Sequence, residues 1–209
     1  MSHYTEKQSK IEDRKKDQDR VWNRWFKDIN GKILDAGCSV GNFISLDPEN
    51  IIGVDTDPQA IEICKERGFD AIHADLNEKL DFPNNYFSAI HASHILEHLE
   101  KPLFTLKEFY RVLKPGGKLI LFVSNIYRYK FKSFDDYTHR NHFTPRSLKQ
   151  IAYDAGFRDF TVKQDYKIMS GMGWLVRNTP LRVEHILKIQ NLLAVFKITD
   201  VDLVLETRK

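Results

Sequence analysis

Short apolar runs, each bounded by glycine, proline or polar residues, alternate along this chain with stretches whose apolar residues recur at helical spacing. Apolar runs of this length between turn signals are typical of buried strands. Five of them predict strands: the run that begins at Ile33 and the segments 51–55, 71–75, 87–92 and 118–123. The alternation of strands with helices favours a parallel sheet, because parallel neighbours need a long crossover connection.

Two further segments, 160–166 and 202–206, are candidate strands that could pair antiparallel at the sheet edge. We therefore predict an α/β fold: a doubly wound, Rossmann-like, mostly parallel seven-stranded sheet with helices on both faces and an antiparallel edge strand. A helical period also follows the fourth strand, from Ser93 to Leu113, and is interrupted near Pro102. In such sheets the ligand site lies beyond the carboxyl ends of the strands.

The domain organisation follows from the same pattern. We predict an N-terminal helical extension over residues 1–30 and a main domain over residues 31–209. The loop 125–141 is aromatic and basic, and the segment 169–196 is predicted to be a helical insertion, so we expect both to cap the substrate side. The apolar residues of the extension fall on one helical stripe: Val21, Trp22, Trp25 and Ile29.

Composition says more about the cellular compartment and the size of the core than about the function. With 209 residues, of which 42% are hydrophobic, the chain is long enough for one sizeable core. Two cysteines, Cys38 and Cys64, suit a reducing compartment, and the absence of a long apolar run predicts a soluble, cytoplasmic protein without a transmembrane segment. The formal charge of +3 is small, and no nucleic acid partner is expected. The apolar side of 169–196 could also pair two copies as a homodimer.

The turn after the first strand carries the first chemical signal. Gly37 and Gly41 lie four residues apart, so this turn lacks the third glycine of a pyrophosphate-binding turn and the lysine of a nucleoside-triphosphate loop. Asp55, at the end of the second strand, is placed to accept hydrogen bonds from two ribose hydroxyls. The free backbone amides of the turn and the dipole of the following helix still favour an anion, for which a single carboxylate would suffice. A ligand with a ribose, no pyrophosphate and an amino-acid carboxylate is S-adenosylmethionine.

Several motifs, in this order, resemble the class I S-adenosylmethionine-dependent methyltransferases. The likeness covers residues 32–157 and rests on I-L-D-A-G-C at 33–38, G-V-D at 53–55, A-D-L at 74–76, I-L-E-H-L at 95–99 and R-V-L-K-P-G-G at 111–117. A further likeness, to methyltransferases of small molecules, glycans or lipids, rests on Y-T-H at 137–139, H-F-T-P at 142–145 and A-G-F at 155–157.

The resemblance implies a role for each matched cofactor residue. The methionine part of S-adenosylmethionine would lie against Asp35, Gly37 and Cys38, and Ser39 and Gly41 of the same glycine turn are further expected cofactor-binding residues. The ribose would bind Asp55, the adenine would lie near Thr56, Asp75 and Leu76, and the backbone near Ala92 would face the sulfonium.

Two features of the turn depart from the family pattern. Ser39 stands where the family most often has glycine, and it should be tolerated if its backbone needs no positive φ. The segment 42–50 leaves about two turns for the first helix.

The expected reaction is methyl transfer to a small-molecule, sugar or lipid-linked acceptor, at oxygen. His139 and His142, in and beside the loop over the site, are the candidate bases, since imidazole can take a proton near neutral pH. Their alternative role is to order the loop or to bind substrate. The absence of an Asn-Pro-Pro-Tyr or Asp-Pro-Pro-Tyr stretch after the fourth strand argues against adenine-N6 or glutamine acceptors.

Three other functions stay open at this point. A nucleotide-dependent oxidoreductase would need the missing pyrophosphate turn, and a non-catalytic partner subunit would bind S-adenosylmethionine without turnover. The segment His94-x-x-Glu97-His98 also matches a zinc hydrolase pattern, in which two histidines one helical turn apart bind the metal. We favour the reading without a metal, because the neighbouring motifs already define a cofactor site.

Overall fold

The computed structural model of the chain describes residues 15–129, 134–166 and 201–209. Within these ranges a single seven-stranded sheet has the order β3-β2-β1-β4-β5-β7-β6. Its strands are β1 (Ile33–Ala36), β2 (Ile51–Asp55), β3 (Ala71–His73), β4 (Phe87–Ser93), β5 (Leu113–Ser124), β6 (Asp159–Tyr166) and β7 (Val201–Arg208). The five neighbouring strands β3, β2, β1, β4 and β5 are parallel to one another, whereas β7 pairs antiparallel with both β5 and β6. The predicted fold is confirmed.

Five helical segments of four or more residues accompany the sheet in the described ranges. They are α1 (residues 15–21, continuing as a π-helical turn at Trp22–Phe26), α2 (Pro58–Glu66), α3 (Pro102–Val112), α4 (Ile126–Tyr129) and α5 (Pro145–Asp154). Local chemistry explains where two of them begin. The Asp57 carboxylate accepts the Gln59 N–H at the start of α2, and Thr144 and Ser147 form a reciprocal capping box at the start of α5.

Helices cover both faces of the sheet because successive strand residues point to opposite sides. Leu34 belongs to the apolar layer that α3 and α5 cover, whereas its neighbour Ile33 belongs to the layer that α1 and α2 cover. Trp25 and Phe26 of α1 are buried in the second layer, and Trp25 packs edge-on against Phe122 of β5. The N-terminal segment is therefore part of the core from α1 onward.

The prediction of a helical period beginning at Ser93 is wrong for its first part. Residues 94–101 form turns, and α3 begins at Pro102, whose missing N–H and fixed φ suit a first helical position. The Glu97 carbonyl accepts the N–H groups of Arg140 and Asn141, so it is committed to a distant segment instead of a helix.

Two other local predictions differ from the structure. The glycine turn is followed by turns and a short 3-10 helix at Ile44–Leu46 instead of two helical turns. Strand β5 begins at Leu113, five residues before the predicted start at Lys118, with an irregularity in its pairing to β4. The predicted insertion 169–196 lies outside the described residues, as do residues 130–133 of the loop 125–141.

Candidate functional site

A cleft of about 320 Å³ opens at the carboxyl ends of the central strands. Its lining combines residues from the glycine turn, α1, the end of β4, and β5, β6 and β7. The lining residues are Asp17, Gln18, Val21, Asp35, Gly37, Cys38, Ser39, Asn42, Phe43, His91, Ser93, His94, Phe122, Asp165 and Asp202. This is the edge at which doubly wound sheets bind their ligands.

The glycine turn adopts left-handed backbone conformations. Gly37 has φ +79° and Gly41 has φ +76°, which glycine accepts without a steric penalty. A Cβ on Gly41 would lie 2.9 Å from Cys64 Sγ, so the turn also needs glycine to pack on α2. Ser39 has φ +47°, and the condition under which serine was expected to be tolerated without strain is therefore not met.

Asp55 explains how the turn keeps serine in this conformation. The Ser39 N–H donates to Asp55 Oδ2 at 2.8 Å, and the Asp57 N–H donates to Asp55 Oδ1 at 3.0 Å. Hydrogen bonds to an ionised carboxylate contribute about 1.5–3 kcal/mol, which can offset the strain of about 1–2 kcal/mol for a left-handed residue. The half-buried Asp55 carboxylate thus ties the end of β2 to the middle of the turn.

The two cysteines lie below the same turn. Both are buried free thiols, and Cys64 Sγ lies 3.2 Å from the Ser39 carbonyl oxygen, within hydrogen-bonding distance. Burial raises the pKa of the Cys38 thiol far above its ordinary value, and the nearby Asp35 carboxylate adds to the effect. Cys38 is therefore a protonated packing residue at physiological pH.

Asp35 forms a buried pair with a histidine that sequence analysis missed. Asp35 of β1 is 3% exposed and His91 of β4 is 7% exposed, and the two residues are register partners on neighbouring parallel strands. Asp35 Oδ1 lies 2.8 Å from His91 Nδ1. The sequence signal that could have revealed His91 is a histidine in the middle of an otherwise apolar strand.

The remaining predicted cofactor residues follow β2 and β3 or lie near the end of β4, along the same edge. The Thr56 carbonyl oxygen lies 3.0 Å from His73 Nε2, and the Asp75 carboxylate accepts the Asn77 N–H. Leu76 and Ala92 are buried, whereas Thr56 and Asp75 are exposed. None of these four lines the cleft itself, and Gly41 and Asp55 do not either.

The part of the cleft away from the turn is lined by acidic and amide side chains. Asp17 and Gln18 come from α1, Asp165 comes from β6 and Asp202 comes from β7. Arg20 holds two of these carboxylates, with bonds of 2.9 and 2.6 Å to Asp165 and 2.8 Å to Asp17. Burial opposes the charge of Arg20, but these carboxylates raise its pKa and keep it a cation.

His94, at the end of β4, also lines the cleft and is held between two buried carboxylates. Its Nε2 lies 3.0 Å from Asp202 Oδ2 and its Nδ1 lies 3.4 Å from Glu97 Oε1. Burial alone would raise the pKa of Glu97, but the contact with His94 and the Ser124 N–H hold that pKa below its ordinary value. His94 has φ +53°, a left-handed conformation that is uncommon for histidine.

The candidate bases His139 and His142 lie together but not in the cleft lining. The rings of His98 and His139 have centroids 4.8 Å apart, and those of His139 and His142 are 6.2 Å apart. The Thr138 hydroxyl oxygen lies 3.0 Å from His98 Nδ1. We call His98, His139 and His142 the histidine cluster; their catalytic role stays a prediction.

The zinc pattern does not have the geometry that it requires. Residues 94–98 form turns, so His94 and His98 are not one helical turn apart on a helix. Glu97, the base of that pattern, is buried against the Ser124 N–H. No cluster of three or more metal-ligating side chains is found among the residues that the structure describes. In the same ranges, each helix is too short or too polar to cross a bilayer.

Known proteins are similar to this chain in sequence and in fold. The model of a methyltransferase domain family matches residues 8–162. An uncharacterized protein of Methanocaldococcus jannaschii is 30% identical over 64% of this chain and 68% of its own. A ubiquinone/menaquinone biosynthesis C-methyltransferase of Neisseria meningitidis is 38% identical over 38% of this chain, and the match spans only 43% of that enzyme.

A solved structure has the same fold. The crystal structure of an S-adenosylmethionine-dependent methyltransferase from Archaeoglobus fulgidus superposes with a TM-score of 0.71, at 23% identity, over 100% of both chains. At this identity the likeness shows the fold. Since the family match spans more than half of the sequence and includes the glycine turn at the ligand-binding edge, the chain belongs to the class I S-adenosylmethionine-dependent methyltransferases.

Proposed function

We propose that this protein transfers the methyl group of S-adenosylmethionine to a hydroxyl oxygen of a small acceptor, with a free or lipid-linked sugar as the preferred class. The observation that carries the proposal is the lining of the cleft. One part is the glycine turn, and another part supplies the carboxylate and amide groups of Asp17, Gln18 and Asp165. Carboxylate and amide oxygens accept hydrogen bonds from hydroxyl groups, which a sugar offers in number.

The residues present fit the cofactor. Each Asp55 oxygen accepts one backbone N–H and keeps a second lone pair, so the carboxylate can also accept two ribose hydroxyls. Asp35 places a negative charge beneath the turn, which suits the cationic methionine end of the cofactor. We assign the adenine side to Thr56, Asp75 and Leu76 and the sulfonium side to the backbone near Ala92.

The chain's own contribution to the reaction is alignment and a dry cleft. S-adenosylmethionine supplies a methyl group on a cationic sulfur, ready for in-line displacement by the acceptor. Val21, Phe43 and Phe122 give the cleft apolar surface that limits water, while its polar groups orient the acceptor. The loop 125–141 and the segment 169–196 are our proposed cap over this side.

His139 and His142 are the proposed proton acceptors. Neutral imidazole can take the hydroxyl proton near pH 7. Because the histidine cluster is not part of the cleft lining, this role requires an acceptor that extends from the cleft toward the loop 125–141. A sugar joined to a longer group has that reach.

Methylation at carbon is the second candidate, and one observation favours it. The relative from Neisseria meningitidis is a C-methyltransferase of ubiquinone and menaquinone biosynthesis. An aromatic acceptor could pack on Phe43 and Phe122, which line the cleft. It would make less use of the acidic groups in the lining.

The test combines cofactor binding with product identification. Calorimetry with S-adenosylhomocysteine and with NAD identifies the cofactor. Tighter binding of NAD than of S-adenosylhomocysteine would contradict the proposal. Turnover is then measured with methyl-labelled S-adenosylmethionine against free sugars, lipid-linked sugars and a quinol. We expect an O-methyl product from a sugar, identified by mass spectrometry and by the chemical shift of the labelled carbon.

The other outcomes are distinct. A C-methylated quinol supports the second candidate, and cofactor binding without turnover on any acceptor supports a non-catalytic partner subunit. Gln18→Leu is the matched variant, since Gln18 lines the cleft on α1 and not on the glycine turn. It should raise KM for a hydroxylated acceptor and leave the affinity for S-adenosylhomocysteine unchanged.

A further inference from the structure

We propose that His91 is a positioning residue for the cofactor: it holds the Asp35 carboxylate oriented beneath the glycine turn, so that the cationic methionine end binds above it. This inference rests on the proposed function and goes beyond it by assigning a role to a residue outside the family motifs quoted above. It starts from the register of the sheet, in which Asp35 and His91 are partners across β1 and β4. Their side chains therefore leave the sheet on the same face.

The imidazole is fixed by aromatic packing on several sides. The His91 ring stacks on Phe43 with centroids 3.9 Å apart and an interplanar angle of 18°. Phe26 of α1 and Phe122 of β5 meet it edge-on, with centroids at 5.7 and 6.0 Å. Because the ring is clamped in this way, its Nδ1 points at a defined place, 2.8 Å from Asp35 Oδ1.

Asp35 depends on that one contact. Its other oxygen, Oδ2, is buried and has no hydrogen-bond partner among the residues that the structure describes. A buried polar oxygen without a hydrogen bond is costly, so the contact with His91 is what satisfies and orients the Asp35 carboxylate. For His91 to donate to Asp35, Nδ1 must carry the hydrogen, as it does in the Nδ1–H tautomer.

The charge matters because of where it lies. Asp35 precedes Gly37 and Cys38, and all three line the cleft together with His91. A negative charge that is buried at the bottom of the cleft, where the dielectric constant is low, attracts a nearby cation much more strongly than it would in water. The ammonium and sulfonium groups of the cofactor are the cations that this part of the cleft is proposed to receive.

Two substitutions distinguish the hydrogen-bond donor of His91 from the aromatic packing of its ring. His91→Phe keeps an aromatic ring against Phe43 and removes the Nδ1 donor. His91→Asn gives up the ring but retains a side-chain N–H close to the position of Nδ1. We expect His91→Phe to weaken the binding of S-adenosylhomocysteine about 10-fold to 100-fold, as for loss of a charge-assisted hydrogen bond, and His91→Asn to recover most of that affinity.

A comparison of two ligands distinguishes the proposed role of His91 from a role in packing alone, because a packing defect would weaken the binding of both ligands. 5′-Methylthioadenosine keeps the adenosine part but lacks the amino-acid part, so its affinity should be the same in the wild type and in His91→Phe. Asp35→Asn should show the same selective loss, and the double variant should lose no more than either single variant because both act through one charge. If His91→Phe does not fold, Asp35→Asn and His91→Asn still give the comparison.

The outcomes are separable from those of the proposed function. A wild-type protein that does not bind S-adenosylhomocysteine overturns the function itself. A wild type that binds it, with His91→Phe binding equally well, overturns only the role of His91. Equal losses for S-adenosylhomocysteine and 5′-methylthioadenosine also overturn that role, since they indicate a general distortion of the site.

Discussion

Asp55 joins a structural and a predicted binding role in a single carboxylate. It accepts the N–H groups of Ser39 and Asp57, and its remaining lone pairs are the predicted ribose acceptors. Asp55→Ala should weaken the binding of S-adenosylhomocysteine by about 1.5–3 kcal/mol, since hydrogen bonds to an ionised carboxylate are lost. Calorimetry measures this directly.

Asp57→Ala is the matched control for Asp55. The Asp57 carboxylate accepts the Gln59 N–H and caps α2. Its loss should reduce the free energy of unfolding by about 1 kcal/mol, as is usual for a helix cap, with no change in cofactor affinity. Wild-type affinity in Asp55→Ala would remove this residue from the binding site.

His139 tests whether a base operates from the histidine cluster. His139→Ala should lower kcat by about 100-fold or more, the usual scale for loss of a general base, and leave the affinity for S-adenosylhomocysteine unchanged. His98→Ala is the control, because it removes the neighbouring ring 4.8 Å away and keeps the predicted base. Equal losses of kcat and cofactor affinity, or no loss, would exclude His139 as the base.

At the scale of elements, the strands could be predicted because their signal is local. Ile33 and Leu34 are apolar, adjacent and buried on opposite faces, which is what a central parallel strand requires. The segment 94–101 could not be predicted in the same way. Its apolar residues have helical spacing, but the Glu97 carbonyl is used by Arg140 and Asn141, which are far away in sequence.

The turn over residues 94–101 should depend on pH through Glu97. Its carboxylate is 2% exposed, accepts the Ser124 N–H at 2.7 Å and has a pKa held below the ordinary 4.5. A group whose folded pKa is lowered stabilises the fold above its unfolded pKa, and the stabilisation is lost as the pH falls through the folded value. Glu97 should therefore stabilise the fold at neutral pH and lose this effect in acid.

Glu97→Gln gives the comparison. Chemical denaturation between pH 3 and pH 7 should show the wild type more stable than the variant by about 1.5–3 kcal/mol at neutral pH, with the difference shrinking below pH 4.5. A difference that is constant across this range would mean that the Glu97 charge does not stabilise the turn.

At the scale of the whole molecule, the two sides of the cleft differ in how far sequence could define them. The turn that holds Gly37 and Ser39 is contiguous, so its role could be inferred from spacing and from one acid downstream. The other side is assembled from α1, β6 and β7. Its central pair, Arg20 and Asp165, is separated by 145 residues, and only the folded chain brings it together.

The pair of Arg20 and Asp165 should couple α1 to the antiparallel end of the sheet. The two side chains are only 15% and 7% exposed, so removing one partner leaves a poorly solvated charge in the cleft wall. Arg20→Met should lower the free energy of unfolding by about 3 kcal/mol, the low end for a broken buried pair, because Arg24 also reaches Asp165 at 3.5 Å. Urea denaturation measures the loss.

The double variant Arg20→Met with Asp165→Leu shows whether the lost free energy of unfolding comes from the unpaired Asp165 charge or from packing. With both charges removed, most of the lost stability should return, since the desolvation cost disappears together with the attraction. Glu100→Gln breaks the exposed pair with Arg140 and should cost at most about 1 kcal/mol. If the double variant is as unstable as Arg20→Met alone, then the loss comes from the packing and other contacts of the Arg20 side chain and not from an unpaired Asp165 charge.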